Sequence, residues 1–231
     1  MLERSISLSR AHARRLRDYY RSAGWPYGDN VEIDLLAAGF ITRATSVNGC
    51  DAIVVTDLGL AHIAASLERN RRSRDAHEGL VAQTAAYLRQ HGRLAYTASK
   101  FRVKPAERWQ IVKPDVFSIR RTFEAHRCEP TVHEIKAHRS DLLGDLKRED
   151  KRNGYAQIAS RVTYVLAQGI AEPEEIPEPF GVWVAHADGR LVELRPAEPR
   201  EITLTPMHWL QLLMQRGDGA PDVDSAQLPL R

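Results

Sequence analysis

The chain has 231 residues, 43% of them hydrophobic, enough for one large domain or two small ones with buried cores. No apolar run approaches the roughly 18 residues a membrane helix needs, and the N-terminal MLERSISLSRAHARRLRDYY lacks the apolar centre of a signal peptide, so a cytoplasmic protein with no membrane partner is expected. The net charge of +3 is uneven: residues 1–113 carry 18 Lys+Arg against 11 Asp+Glu (net +7) and residues 114–231 carry 15 against 19 (net −4), so a basic front half suits a phosphate backbone and an acidic back half suits cations.

Residues 9–23, SRAHARRLRDYYRSA, place Ala13, Leu16, Tyr20 and Ala23 at helical spacing among arginines, and Gly24-Trp25-Pro26 ends that helix. Asp29 or Asn30 caps a second helix through VEIDLLAA, which stops at Gly39. The alternating FITRATSV, a turn at Asn48-Gly49 and DAIVVT predict a hairpin, followed by a helix over LGLAHIAASLERN. These residues resemble a winged helix-turn-helix module over about 10–70, although only two helices precede the hairpin where three are usual. The resemblance implies DNA binding, with helix 30–38 entering a groove and the tip Ser46 to Gly49 as the wing. Arg14, Arg17, Arg21, Arg43 and Asn48 are the DNA-contacting candidates in this domain, residues 1–70.

RNRRSRD, at 69–75, shows no apolar periodicity and predicts a linker at 71–75 whose Arg71 and Arg72 meet phosphates. The second domain, 76–215, opens with AHEGLVAQTAAYLRQHG, a helix burying Leu80, Val81, Ala85 and Leu88. RLAYTA, ERWQIVKPDVFSIRRT (interrupted at Pro114), TVHEIKAH and RVTYVLA are strand candidates, and SDLLGDLKREDKR is a helix capped by Ser140. After the acidic, proline-rich EPEEIPEP, GVWVAHADGRLVELR reads as a hairpin about Asp188-Gly189. The fold class expected is α/β, a mixed central sheet flanked by helices, after a small winged-helix domain. PMHWLQLLMQ predicts a helix packing Trp209, Leu210 and Leu213 on the body or on a second subunit, and 216–231 a flexible tail. Cys50 and Cys128 are far apart, outside any C-x-x-C, and are expected to be reduced.

PTVHEIKAH, at 130–138, suggests a zinc protease until its spacing is counted. His133 and His138 are five apart, so on a helix their rings sit roughly 140° apart rather than on one face. On a strand, by contrast, Val132, Glu134 and Lys136 share a face and His133, Ile135 and Ala137 take the other. Pro114 interrupts the preceding strand and can turn Asp115 toward Glu134. Two converging carboxylates offer hard oxygen ligands to Mg²⁺, with a lysine beside them to orient a water or steady developing negative charge.

The "PD" at 114–115 and "EIK" at 134–136 resemble the PD-(D/E)xK nuclease motif. More narrowly, PDVFSI, VHEIKAHRSDLLGDLKREDKRNGY, RVTYVLAQG and FGVWVAHADGRLVEL are similar to the MmcB-like DNA-repair endonucleases, over about 76–195. The resemblance implies a metal-dependent DNA endonuclease in repair or defence. Asp115, Glu134 and Lys136 would be catalytic; Mg²⁺, or Mn²⁺ in its place, would be held by Asp115, Glu134, the Ile135 carbonyl and Glu78. Lys147, Asp150 and Tyr155 match polar positions of the following helix, with Lys147 and Tyr155 toward DNA, and Gln157 is a further cleft candidate. Cutting both strands needs two sites or two visits, so a homodimer is one arrangement open to it. The competing expectation is a DNA-binding regulator or adaptor whose nuclease-like domain is silent.

Overall fold

Ser9 opens the first helix, α1 (Arg10–Arg21), its hydroxyl accepting the His12 amide that a helix start otherwise leaves unpaired. Asp29 does the same for α2 (Asn30–Ala37), accepting from the Glu32 amide. This computed structural model describes residues 8–22, 24–45 and 49–215, and the chain divides into two units between Arg72 and Ser73. In the first, β1 (Ile41–Thr45) pairs antiparallel with β2 (Asp51–Val55), and Leu16, Tyr19, Leu35, Ile41, Ile53 and Ile63 form the core. Tyr19, not the expected Tyr20, is buried: its hydroxyl is drawn onto Glu32, while Tyr20 is exposed. The expected contributions of Ala23, the wing tip with Asn48, and the tail 216–231 lie outside the described residues.

Helix, helix, hairpin, helix follow in the predicted order, but α2 is poorly suited to enter a DNA groove. Its sequence, NVEIDLLA, has two acids and no cation; its exposed side chains are Asn30, Ile33 and Ala37, and Asp34 pairs with His12 at 3.1 Å.

The expected linker is a helix. α3 (Asp57–Gln90) runs without a break through RNRRSRD. Arginine is a good helix former, the run holds neither Gly nor Pro, and Glu68 pairs with both Arg71 and Arg72 at 2.9 Å along the helix surface. Absence of apolar periodicity marked a solvated helix face rather than loss of helix.

The second unit is built on a six-stranded mixed sheet flanked by helices. Its strands are β3 (Arg93–Thr97), β6 (Val116–Arg120), β7 (Thr131–Lys136), β8 (Arg161–Ala167), β9 (Gly181–Ala185) and β10 (Leu191–Arg195), in the spatial order β10-β9-β8-β7-β6-β3. The β7-β8 and β8-β9 pairings are parallel and the rest antiparallel. A separate hairpin joins β4 (Phe101–Val103) to β5 (Gln110–Val112). One sheet face packs Val132, Phe117 and Val162 with Tyr155, Ile158 and Leu212; the other packs Ile135, Val116 and Val165 with Leu80, Ala85 and Leu88 of α3. With both faces covered, all six residues of β7 are buried.

The helix expected over 140–152 is two short ones, α4 (Arg139–Asp145) and α5 (Glu149–Tyr155), and no side chain caps α4. Arg152 stabilises the break by donating to the carbonyls of Asp145 and Leu146. α6 (Pro206–Met214) buries His208 and Leu212 with Trp209 against the core, whereas Leu210 and Leu213 do not pack on the body and are exposed in the single chain. No helix among the described residues is long and apolar enough to cross a membrane.

Candidate active site

Register brings the separated carboxylates together. In the antiparallel β6-β7 pair Val116 stands opposite His133, so Asp115, one residue earlier, comes level with Glu134 just before β6 begins. Pro114 lacks the amide that would continue the ladder, and beside this break the Ile135 amide donates to Asp115 Oδ2 at 2.8 Å. The expected convergence of Asp115 on the Glu134–Lys136 segment is therefore present.

Glu134 and Lys136 share one side of β7, as strand alternation requires, and Lys136 Nζ donates to Glu134 Oε1 at 2.7 Å. Both are buried, at 2% and 6% relative exposure, so this is no solvated surface pair. Lys151 of α5 also donates to Glu134 Oε1 and reaches Asp145 Oδ1 at 2.7 Å. Asp145, at the end of α4, lies 3.4 Å from Lys136 and accepts the Tyr164 hydroxyl at 3.0 Å. Two carboxylates and two ammonium groups thus form one closed, charge-balanced cluster.

Tyr155 completes it. Its hydroxyl stands 2.8 Å from Glu134 Oε2 and 3.1 Å from the Lys113 carbonyl; its one proton serves the nearer, charged acceptor better. Gly154 makes the approach possible, since a Cβ there would lie 2.4 Å from Val112 Cγ1 and from Gln110 Nε2, forcing α5 off β5.

Burial and the neighbouring Asp115 charge push the Glu134 carboxyl above its ordinary value of 4.5, despite the two lysines. Burial pushes Asp145 the same way, but the Lys151 hydrogen bond and the Lys136 charge outweigh it, leaving that carboxyl below its ordinary value. Lys151 resists the lowering effect of burial because Glu134 and Asp145 raise it further. The Tyr155 hydroxyl is held firmly protonated by burial and by Glu134. Glu134 and Asp145 therefore share donors yet differ in proton affinity.

Several expected site residues lie elsewhere. Glu78 is exposed and makes no hydrogen bond or ion pair among the described residues; a helical step of about 100° before it, His77 faces Asp115 instead, Nε2 to Oδ1 3.5 Å, and is raised in pKa by that contact. Tyr155 is 1% exposed and so is a partner of Glu134 rather than a surface for DNA. Lys147 and Asp150 are exposed, and Gln157 accepts the Lys104 amide. Arg43 donates to Glu32 inside the first unit, and Arg71 and Arg72 pair with Glu68. His133 is a packing residue: it lies 2.9 Å from Ser118 Oγ, and burial drives its pKa to about 3.

Sequence reasoning missed His77, Asp145 and Lys151. The four-residue spacing of Lys151 and Tyr155 was the one available clue, placing both on one face of α5.

Compared with known proteins, the chain matches no family model, no curated protein and no solved structure. Among the described residues no three His, Cys, Asp or Glu side chains converge closely enough to hold a metal ion. Any cation here would rest on two carboxylates plus backbone oxygen and water, a donor set of the hard-oxygen kind that suits Mg²⁺.

Proposed function

We propose that the protein is a metal-dependent DNA endonuclease that hydrolyses phosphodiester bonds at the Asp115–Glu134–Lys136 locus. The supporting observation is the Asp115 carboxylate seated on the Ile135 amide, level with a buried Glu134 that carries Lys136. Asp115, Glu134 and the Ile135 carbonyl would hold Mg²⁺ or Mn²⁺, which supplies a water of lowered pKa and offsets charge on the phosphate. Lys136 sits one strand repeat from Glu134, where its ammonium can orient a water or steady a developing oxyanion. In the closed cluster Oε1 of Glu134 accepts from Lys136 and Lys151 and Oε2 from Tyr155, so withdrawal of one lysine would open Oε1 to a cation. Lys151 is suited to that movement: its side chain is 16% exposed against 7% for Lys136, and Asp145 retains it after release.

The same neutral cluster favours a second reading, a DNA-binding adaptor in which the nuclease-like unit is a scaffold. Paired buried charges need no further ligand. Incubation with supercoiled, linear, single-stranded and branched DNA in Mg²⁺ or Mn²⁺ separates the two. Cleavage that falls at least about a hundredfold in Glu134→Gln and Asp115→Asn supports the hydrolytic site; no cutting of any substrate leaves the scaffold.

A further inference from the structure

Four arginines of α1, Arg10, Arg14, Arg17 and Arg21, recur at intervals of four, three and four residues. At about 100° per residue they fall within one narrow stripe, spread over about 16 Å of helix axis. Leu16 and Tyr19, the buried residues of α1, lie on the opposite side, so the stripe faces outward. Asp18 is the single acid in the helix; it approaches Arg14 at 3.9 Å, while Arg17 and Arg21 have no hydrogen-bond or ion-pair partner among the described residues.

The loop after α1 displays two aromatic rings. Trp25 is 71% exposed and Tyr27 61%. What sets these two rings apart is the backbone beneath them, which is fixed at both ends. Gly24, at φ +74°, lies so close to β2 that a Cβ would sit 2.1 Å from the Ile53 carbonyl oxygen, and the Gly24 carbonyl accepts the Ile53 amide at 2.6 Å. At the other end, the amides of Tyr27 and Gly28 donate to the wholly buried Glu32 at 2.6 and 3.3 Å. Arg15, neutralised by Asp29, stacks on one face of Tyr27 with its guanidinium carbon 3.7 Å from the ring centre. A hollow of about 470 Å³ joins Tyr27 to Arg10, Arg14 and Val31.

We infer that α1 and the 24–28 loop form a platform for single-stranded nucleic acid, with phosphates along the arginine stripe and unpaired bases on Trp25 and Tyr27. This rests on the nucleic-acid reading above and narrows it. Guanidinium groups alone would serve a duplex equally, but ring faces are offered only by bases outside a duplex stack, and stacking on pre-fixed aromatic rings is indifferent to sequence. The acidic, cation-free α2 takes no part.

Fluorescence anisotropy of the full chain with labelled dT20 and a 20-bp duplex, between 50 and 200 mM salt, tests this. Trp25→Ala with Tyr27→Ala is expected to weaken dT20 binding roughly tenfold or more, leave duplex binding nearly unchanged and keep the salt dependence. Trp25→Phe, which retains a ring, should recover much of the loss. Arg17→Ala with Arg21→Ala should weaken both ligands and flatten the logarithmic salt slope for dT20 by about 0.7 per arginine. If the aromatic variant binds dT20 like the parent, the platform is refuted while DNA binding by the chain stands, and the exposed rings belong to a protein contact. If neither oligonucleotide binds, the platform and the nucleic-acid reading fall together.

Discussion

Each unit buries one glutamate and caps it with a tyrosine, yet the two are held in different ways. Glu32 receives Tyr19 Oη at 2.5 Å, two backbone amides and one guanidinium; Glu134 receives Tyr155, two ammonium groups and the field of a nearby carboxylate. Burial works against the Glu32 charge, but Tyr19, the two amides and Arg43 bring its pKa below the ordinary 4.5, whereas burial and Asp115 raise Glu134 above it. Backbone amides cannot move away without unfolding the loop that carries them. Ammonium groups on long side chains can. Glu32 is therefore built as a fixed knot and Glu134 as a site whose partners can be exchanged.

Removing the knot should have the largest effect. Glu32→Ala leaves the Tyr19 hydroxyl and the Tyr27 and Gly28 amides without a buried acceptor, a cost of about 4 kcal/mol. Hydrogen exchange of the full chain should show lost protection across 10–55 and little change in the strands of the second unit. Equal loss in both units would mean that the two glutamates are not independent. Asp145→Ala follows at about 3 kcal/mol, because Lys136 and Lys151 then share one carboxylate and Tyr164 loses its acceptor. Here the loss should appear in β7 and β8. Unchanged exchange there would show that the four charges are not coupled.

The opposite pKa shifts give a comparison by pH. Glu32, with a depressed folded pKa, contributes stability that is present above 4.5 and disappears as pH falls through its folded value. Glu134, with a raised folded pKa, contributes stability that is complete below 4.5 and lost as pH climbs through its folded value. Acidification from pH 7 should thus loosen the first unit through Glu32 while relieving the second at Glu134. Subtracting the pH profiles of Glu32→Gln and Glu134→Gln from that of the parent should give residual slopes of opposite sign, and like signs would refute the assignment.

Part of this contrast is legible in the amino-acid sequence. Strand alternation placed Glu134 beside Lys136, Pro114 announced the break that frees Asp115, and the Asp29-Asn30 pair marked the start of α2, because each is dictated by neighbours in sequence. The charge of Asp145 or Lys151 carried no such mark. Their positions follow from the break at 146–148 and from Gly154 letting α5 close on β5, both decided by packing between distant segments. That His77 rather than Glu78 faces Asp115 was hidden for a related reason, since only helix phase against the sheet selects between adjacent residues. RNRRSRD holds the boundary between the two units as the sequence suggests, yet it is helical: solvated helix and extended linker have the same polar composition, and the distinction lay in what was missing, a Gly or Pro.

The smallest effect sharpens the contrast most. Arg43 is the one ionic arm of the Glu32 knot, and its side chain is 54% exposed. Arg43→Ala should cost less than about 1 kcal/mol, since a solvated guanidinium adds little while Tyr19 and the two amides still satisfy the carboxylate. It should also change dT20 affinity less than Arg17→Ala does, because Arg43 is spent on Glu32 and Arg17 is not. At Glu134 the corresponding change, Lys136→Ala, removes a 7% exposed cation from a balanced cluster and should be several times more damaging. Chemical denaturation and anisotropy of the two variants measure this difference. If Arg43→Ala proved as harmful as Lys136→Ala, the knot would owe its strength to an ion pair after all, and the distinction between pinned and exchangeable carboxylates would fail.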